Sequence, residues 1–156
     1  MTPQGDTKTL WLKEMKEFGV GEDIKFARFI GLVDQSLNDE ENLSLRNTPD
    51  WVKDTICLKV LIEGKAFLYR YRRGGNFQRF FFKTSNRDIE QLVYKRYRVL
   101  TSYGKSLIKK NTFFRKQLSE TFKCATPNSL AISEIDYELG DMIKVFWPTM
   151  NAKNHP

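Results

Sequence analysis

Six side chains near the middle of the chain combine positive charge with aromatic rings. They are Arg70, Arg72, Phe77, Arg79, Phe81 and Lys83. Arginine presents a fork of donors that fits phosphates and guanine edges, and an exposed phenylalanine can stack on unpaired bases. This combination predicts a surface that binds nucleic acid, with DNA favoured over RNA. The simpler alternative is a solvated cationic face whose phenylalanines are covered by a helix.

The charge around these six residues is concentrated as well as abundant. The whole chain has a net charge of +7, yet the stretch from Lys65 to Lys123 carries sixteen Lys or Arg and three acidic residues. A concentrated positive field favours polyanionic partners. The further cations that we expect at the interface are Lys59, Arg73, Arg87, Lys95, Arg98, Lys109, Lys110, Arg115 and Lys116.

A second hypothesis is enzymatic and rests on a short motif. Pro49-Asp50 followed by Glu63-Gly64-Lys65 resembles the Pro-Asp, then Asp/Glu-x-Lys pattern of restriction-type nucleases. The resemblance implies that Asp50 or Asp54 would hold Mg²⁺ together with Glu63, and that Lys65 would orient the attacking water. The competing interpretation is that the Glu63-Gly64-Lys65 triplet is a hairpin turn, in which case no cofactor is expected.

A third hypothesis is a protein-interaction or inhibitor module that binds an acidic partner through the same basic surface. Other enzyme chemistry finds little support, because His155 is the only histidine and no nucleophile–base set or metal cluster is visible. Two cysteines and no apolar run of membrane-spanning length predict an intracellular protein that does not enter a membrane.

The elements that would position the six side chains read as an antiparallel meander. Three strands are predicted within residues 55–83, and Gly74-Gly75 is a strong signal for a two-residue hairpin turn. This turn sets Arg70 opposite Arg79 and places all six side chains on one face. The other face then collects alternate apolar residues and should be core.

The meander is expected to belong to one α+β domain spanning residues 11–150, between a flexible N-terminus (1–10) and a flexible tail (151–156). A helix over residues 86–103 should cover its apolar face. The strand-strand-strand-helix order of residues 55–103 resembles the DNA-binding domains of plant ethylene-response factors and the arm-binding domains of phage integrases. That resemblance implies a sheet lying in the major groove.

Outside the meander, apolar spacing predicts mostly helices. Two N-terminal helices are expected over residues 11–18 and 24–37, and a basic helix is expected within residues 109–122. A C-terminal helix over residues 128–139 should end at Gly140, and a final strand should follow over residues 141–147.

Overall fold

The computed structural model describes residues 17–20, 24–122 and 129–149 of the chain. Within them the backbone forms strands, three α-helices and two short 3-10 turns, Glu40–Asn42 and Trp147–Thr149. The strands are β1 (Glu17–Val20), β2 (Ile24–Asp34), β3 (Trp51–Ile62), β4 (Ala66–Arg73), β5 (Phe77–Thr84), β6 (Arg87–Leu92), β7 (Lys95–Leu100) and β8 (Ser106–Asn111). The helices are α1 (Phe113–Thr121), α2 (Ser129–Glu134) and α3 (Leu139–Phe146).

Strands β1 to β6 form one antiparallel sheet in which each strand pairs with its neighbour in sequence. Strands β7 and β8 form a separate two-stranded ribbon. The architecture is therefore α+β, as expected, and β3, β4 and β5 occupy the positions predicted for the meander. The meander is not a unit of three strands, however, because it continues into β2 on one side and β6 on the other.

The register of the β4–β5 hairpin differs by one residue from the prediction. Arg73 pairs with Phe77, so the loop has three residues, with Gly75 in the left-handed region at φ 68°. Arg70 consequently faces Phe80 and not Arg79. Because side chains alternate along a strand, this shift moves every β5 side chain to the other face of the sheet. The prediction that all six site residues share one face is wrong.

The sheet curls so that β2 approaches β5 and β6. In a flat sheet, β2 and β5 would be about 14 Å apart, at about 4.8 Å per strand. The rings of Phe29 and Phe81 nevertheless lie 5.0 Å apart, and the backbone N–H of Asp34 donates to Gln91 Oε1 at 3.0 Å. We call the enclosed side the inner face. Its buried apolar residues are Ala27, Val33, Ile56, Leu58, Tyr69 and Phe81.

The opposite side, the outer face, is covered over β4 to β6 by the three helices. Buried strand residues such as Leu68 and Phe82 pack there against helical residues such as Phe114 and Phe146. Tyr137 completes the contact between β5 and β6. Its hydroxyl accepts a hydrogen bond from the Phe80 backbone N–H at 2.7 Å and donates to the Leu92 carbonyl at 2.8 Å. Burial raises the pKa of Tyr137 far above its ordinary value.

The helix predicted over residues 86–103 is wrong, because this segment forms β6 and β7. Ser85 and Asn86 make a tight turn into β6 and do not cap a helix. The three helices cover the sheet instead, and α1 is attached next to β6, since the Phe114 N–H donates to the Val93 carbonyl and Gln117 Oε1 accepts from the Val93 N–H. The resemblance to the three-strand-plus-helix DNA-binding domains therefore does not hold at the level of topology.

Two further predictions are also corrected. Residues 24–37 were expected to be helical, yet Ile24–Asp34 is a strand in which Ala27 and Val33 are buried on the inner face. Residues 141–147 were expected to be a strand, yet they fall largely in α3, where Met142, Val145 and Phe146 are buried at helical spacing.

Of the remaining helix predictions, one is confirmed, one is confirmed in part and one lies mainly outside the described residues. The basic helix is confirmed as α1, although it begins only at Phe113, after β8. The predicted C-terminal helix is confirmed only as the six residues of α2, and Gly140 lies inside α3 and does not end a helix. The predicted helix over residues 11–18 and both predicted flexible ends lie mainly or wholly outside the described residues. No helix in the described part of the chain is both long and apolar enough to cross a membrane.

Candidate nucleic-acid interface

Part of the outer face carries cations and is not covered by the helices. On β2, the residues that alternate with the buried Ala27 and Val33 point outward, and the same alternation applies to β3 and to the end of β4. We call this surface the open face. Its cationic residues are Arg28, Lys53, Lys59, Arg70 and Arg72.

Two of these cations lie directly opposite each other on neighbouring strands. Lys59 of β3 pairs in register with Arg70 of β4. Like charges in such positions destabilise a sheet. The pKa of Arg70 is lowered by partial burial and by the neighbouring charge of Arg72. The fold therefore holds positive charges close together at some energetic cost.

These charges are not neutralised within the described structure. Among the described residues, no Asp or Glu oxygen lies within 4.0 Å of any of the five cationic groups. Elsewhere in the protein acidic partners are present, as for Lys25, which pairs with Glu63 at 3.1 Å. The open face is thus a concentrated positive surface that an external anion can approach.

Apolar side chains are interleaved with these cations. Ile30 and Leu32 of β2 are 53% and 55% exposed, and Trp51 at the start of β3 is 41% exposed. Such groups can pack against sugars, and an indole ring can stack on a base. The open face therefore combines cations with exposed apolar side chains, and several of its residues differ from those predicted.

Arg79 does not belong to this surface, because it is buried on the inner face. Its side chain is 2% exposed, and its Nε lies 3.7 Å from Asp34 Oδ2. The guanidinium also donates to the carbonyls of Asp34, Gln78 and Ser36. Burial lowers the pKa of Arg79, and the negative charge of Asp34 opposes that shift. Arg79 thus neutralises a buried carboxylate and satisfies buried carbonyls.

The aromatic residues predicted to stack on bases already have protein partners. The guanidinium carbons of Arg73 and Arg79 each lie 3.9 Å from the centroid of the Phe77 ring. Phe81 is fully buried against Phe29. Both rings contribute to the inner face and its margin and are not part of the open face. Lys83 lies on the same side, with its ammonium 4.8 Å from the centroid of the Phe67 ring.

The cations predicted to line one side of a helix are distributed over separate strands. Arg87 pairs with Glu90 at 3.0 Å, and Arg98 donates to the Glu40 carbonyl. Lys95 is 1% exposed, and its Nζ donates to the Thr48 carbonyl at 2.7 Å. Burial lowers the pKa of Lys95. These three cations therefore do not form a common surface.

The last group of predicted cations divides between β8 and α1. Lys109 and Lys110 are exposed neighbours on β8. Arg115 donates to the Ile135 carbonyl at 2.9 Å, and Lys116 is exposed on the next position of α1. Only Lys59, Arg70 and Arg72 of the predicted set are brought together on the open face.

The residues of the nuclease hypothesis do not converge. Asp50 precedes β3 and Glu63 follows it, and an extended strand of twelve residues spans about 40 Å. Asp54 lies within the strand, about 30 Å from Glu63 by the same spacing, and Lys65 lies beyond Glu63. No cluster of three His, Cys, Asp or Glu suited to a metal is found among the residues that the structure describes. The strand therefore separates Asp50 and Asp54 from Glu63 and Lys65.

Sequence reasoning missed two cations and the apolar part of the open face. Arg28, Ile30 and Leu32 lie in the segment that was predicted to be a helix, and Lys53 precedes the predicted start of β3. The sequence offered no clear signal for a strand here, because apolar residues occupy outward positions, such as Ile30 and Leu32, as well as inward ones, such as Val33. Comparison with protein-family models, with curated proteins and with solved structures finds no match for this chain.

Proposed function

We propose that this protein binds nucleic acid through the open face. The observation that supports the proposal most is the direct opposition of Lys59 and Arg70, two partly exposed cations that have no acidic partner among the described residues. Close like charges are unfavourable in the free protein, and contact with a phosphate backbone would relieve the repulsion.

The dimensions of the open face suit several nucleotides. Lys53 and Lys59 are six residues apart on one strand, which corresponds to about 20 Å. At about 3.4 Å per nucleotide along a duplex strand, this length matches about six nucleotides. The arginines can engage phosphates in a bidentate manner, and Trp51 at one end can pack against a sugar or a base.

DNA is the favoured polymer. The major groove of B-form DNA is wide enough to admit β-strands, whereas the major groove of an RNA duplex is deep and narrow. A sheet surface with outward-pointing arginines can approach base edges in the first case and is restricted to the backbone in the second.

Fluorescence anisotropy with labelled duplex DNA, single-stranded DNA and duplex RNA at several salt concentrations tests the proposal. We expect affinity to fall with salt, because phosphate binding releases counterions. The variant Lys59→Glu, Arg70→Glu, Arg72→Glu should lose affinity. For duplex DNA, the slope of log K against the logarithm of the salt concentration should become less negative by about 2.7, which corresponds to three lost phosphate contacts.

A matched variant controls for net charge. Lys65→Glu, Lys116→Glu, Lys144→Glu changes the charge equally at three exposed positions outside the open face. If both variants lose the same affinity, the assigned face is wrong. Absence of binding to every probe at low salt would contradict nucleic-acid binding and would favour an acidic protein partner.

A further inference from the structure

Among the described strands, only β7 pairs with the ribbon strand β8, so the other edge of β8 has no partner there. On the other strand of the ribbon, β7, the backbone N–H groups of Arg96 and Arg98 point away from β8, since they donate to Asn38 Oδ1 and to the Ser44 carbonyl. The register pairs these two residues with Lys110 and Ile108. In an antiparallel pair, residues directly opposite each other either both bond across the pair or both point away from it.

The outward-facing backbone groups of β8 are therefore those of Ser106, Ile108 and Lys110. The neighbouring pair Thr101 and Lys105 agrees with this alternation, because the Thr101 N–H donates to the Lys105 carbonyl at 2.8 Å. No hydrogen bond from the outward N–H groups is found within the described part of the chain.

The side chains around this edge are also uncovered. Leu107 is 49% exposed and Ile108 is 37% exposed, and the adjacent Lys109 and Lys110 are exposed. An edge strand of this kind is a template for pairing with another strand, and lysines on the edge usually oppose such pairing. The position of the lysines therefore decides which partner can fit.

We propose that β8 pairs antiparallel with β8 of a second copy of this chain, with the twofold axis at Ile108. In this register Ile108 faces its own counterpart, Leu107 faces Lys109, and Ser106 faces Lys110. The three outward residues become hydrogen-bonded pairs, so the two ribbons join into one four-stranded sheet. The apolar side chains pack against each other and against lysine stems.

Alternative registers are disfavoured by charge. Registers that keep Ser106, Ile108 and Lys110 facing the second copy differ by two residues, because a shift of one residue would bring inward-pointing backbone groups to the interface. A register shift of two residues moves the twofold axis by one residue. Moving the axis to Lys109 sets Lys109 opposite itself, and moving it to Leu107 sets Lys105 opposite Lys109. Like charges in directly opposite positions are unfavourable. Among these registers, only the one centred on Ile108 has no lysine opposite a lysine.

Disulfide trapping tests the register directly. In a background with Cys57→Ser and Cys124→Ser, Ile108→Cys should form a covalent dimer under mild oxidation, because directly opposite Cα atoms lie about 5.5 Å apart, within disulfide range. Lys109→Cys is the matched control. Its counterpart lies diagonally, about 7–8 Å away, so we expect at least tenfold slower crosslinking.

Sedimentation equilibrium tests the dimer without crosslinking. The small interface should give a concentration-dependent mass that approaches twice that of the monomer at high protein concentration. Ile108→Lys, which sets a lysine opposite itself, should remain monomeric. Equal crosslinking at positions 108 and 109, or a monomer mass at all concentrations, would overturn the proposal. Both readouts are independent of nucleic-acid binding, so either proposal can fail alone.

Discussion

Replacement of Arg79 by methionine tests the strand register on which the assignment of the open face depends. In the register predicted from a two-residue turn, Arg79 lies on an exposed face opposite Arg70. In the observed register it is buried against Asp34, which is fully buried. Arg79→Met keeps an apolar side chain of similar reach and removes the positive charge and all the donors.

The expected loss of stability follows from what Arg79 contacts. Without it, Asp34 Oδ2 loses the cation at 3.7 Å, and this oxygen has no hydrogen-bond partner among the described residues. The carbonyls of Asp34 and Ser36 also lose a donor. Removing one member of a buried ion pair lowers the free energy of unfolding by about 3–5 kcal/mol.

Urea unfolding monitored by circular dichroism measures this loss. Arg72→Met is the matched control, because Arg72 is exposed on the open face and its replacement should change the free energy of unfolding by about 0.5 kcal/mol or less. Arg72→Met should weaken DNA binding instead. An Arg79→Met protein as stable as the control would refute the observed register and with it the division of the cations between the two faces.

The remaining predictions concern stability. Tyr137→Phe leaves the buried Phe80 N–H and Leu92 carbonyl without a partner and should lower the free energy of unfolding by about 1–3 kcal/mol in urea titrations. Because burial raises the pKa of Tyr137 in the folded state, the folded protein keeps this proton at a pH where the unfolded chain loses it. The free energy of unfolding should therefore decline as the pH rises above about 10, the ordinary pKa of tyrosine. In Tyr137→Phe this decline should be smaller. An unchanged decline in the variant would contradict its assignment to Tyr137. Gly75→Ala should lower the free energy of unfolding by about 1 kcal/mol, because Gly75 has φ 68°, whereas Gly74→Ala, at a position without positive φ, should have little effect. Equal effects at the two glycines would contradict the turn geometry.

Local patterns predicted the central strands well. The segments around β3, β4 and β5 alternate or are rich in branched and aromatic residues, and glycines mark the turn between β4 and β5. The same kind of pattern failed for β2 and β6. There, apolar residues happen to recur at spacings of three and four as well as two, and spacing alone cannot distinguish a helix from a strand in such a segment.

For the candidate site, the sequence predicted a basic sheet face and some of the residues that form it. Lys59, Arg70 and Arg72 lie on a basic sheet face, where Arg72 is exposed and the other two are partly exposed, whereas Arg79 and Phe81 are in the interior. This difference corresponds to a single additional loop residue at the β4–β5 turn, since a shift of one position exchanges the two faces of a strand.

Composition and order along the chain determined that this protein carries concentrated positive charge on and around a central group of strands. Charge belongs to the residues themselves, and strand formation here depends on near neighbours. Tertiary structure alone decided which cations are exposed. The curl of the sheet brings Phe29 against Phe81 and Asp34 against Arg79. Residues 45 or more positions apart in sequence therefore pack into the same interior. Packing between distant strands selects the face that is buried, and no local pattern contains that information.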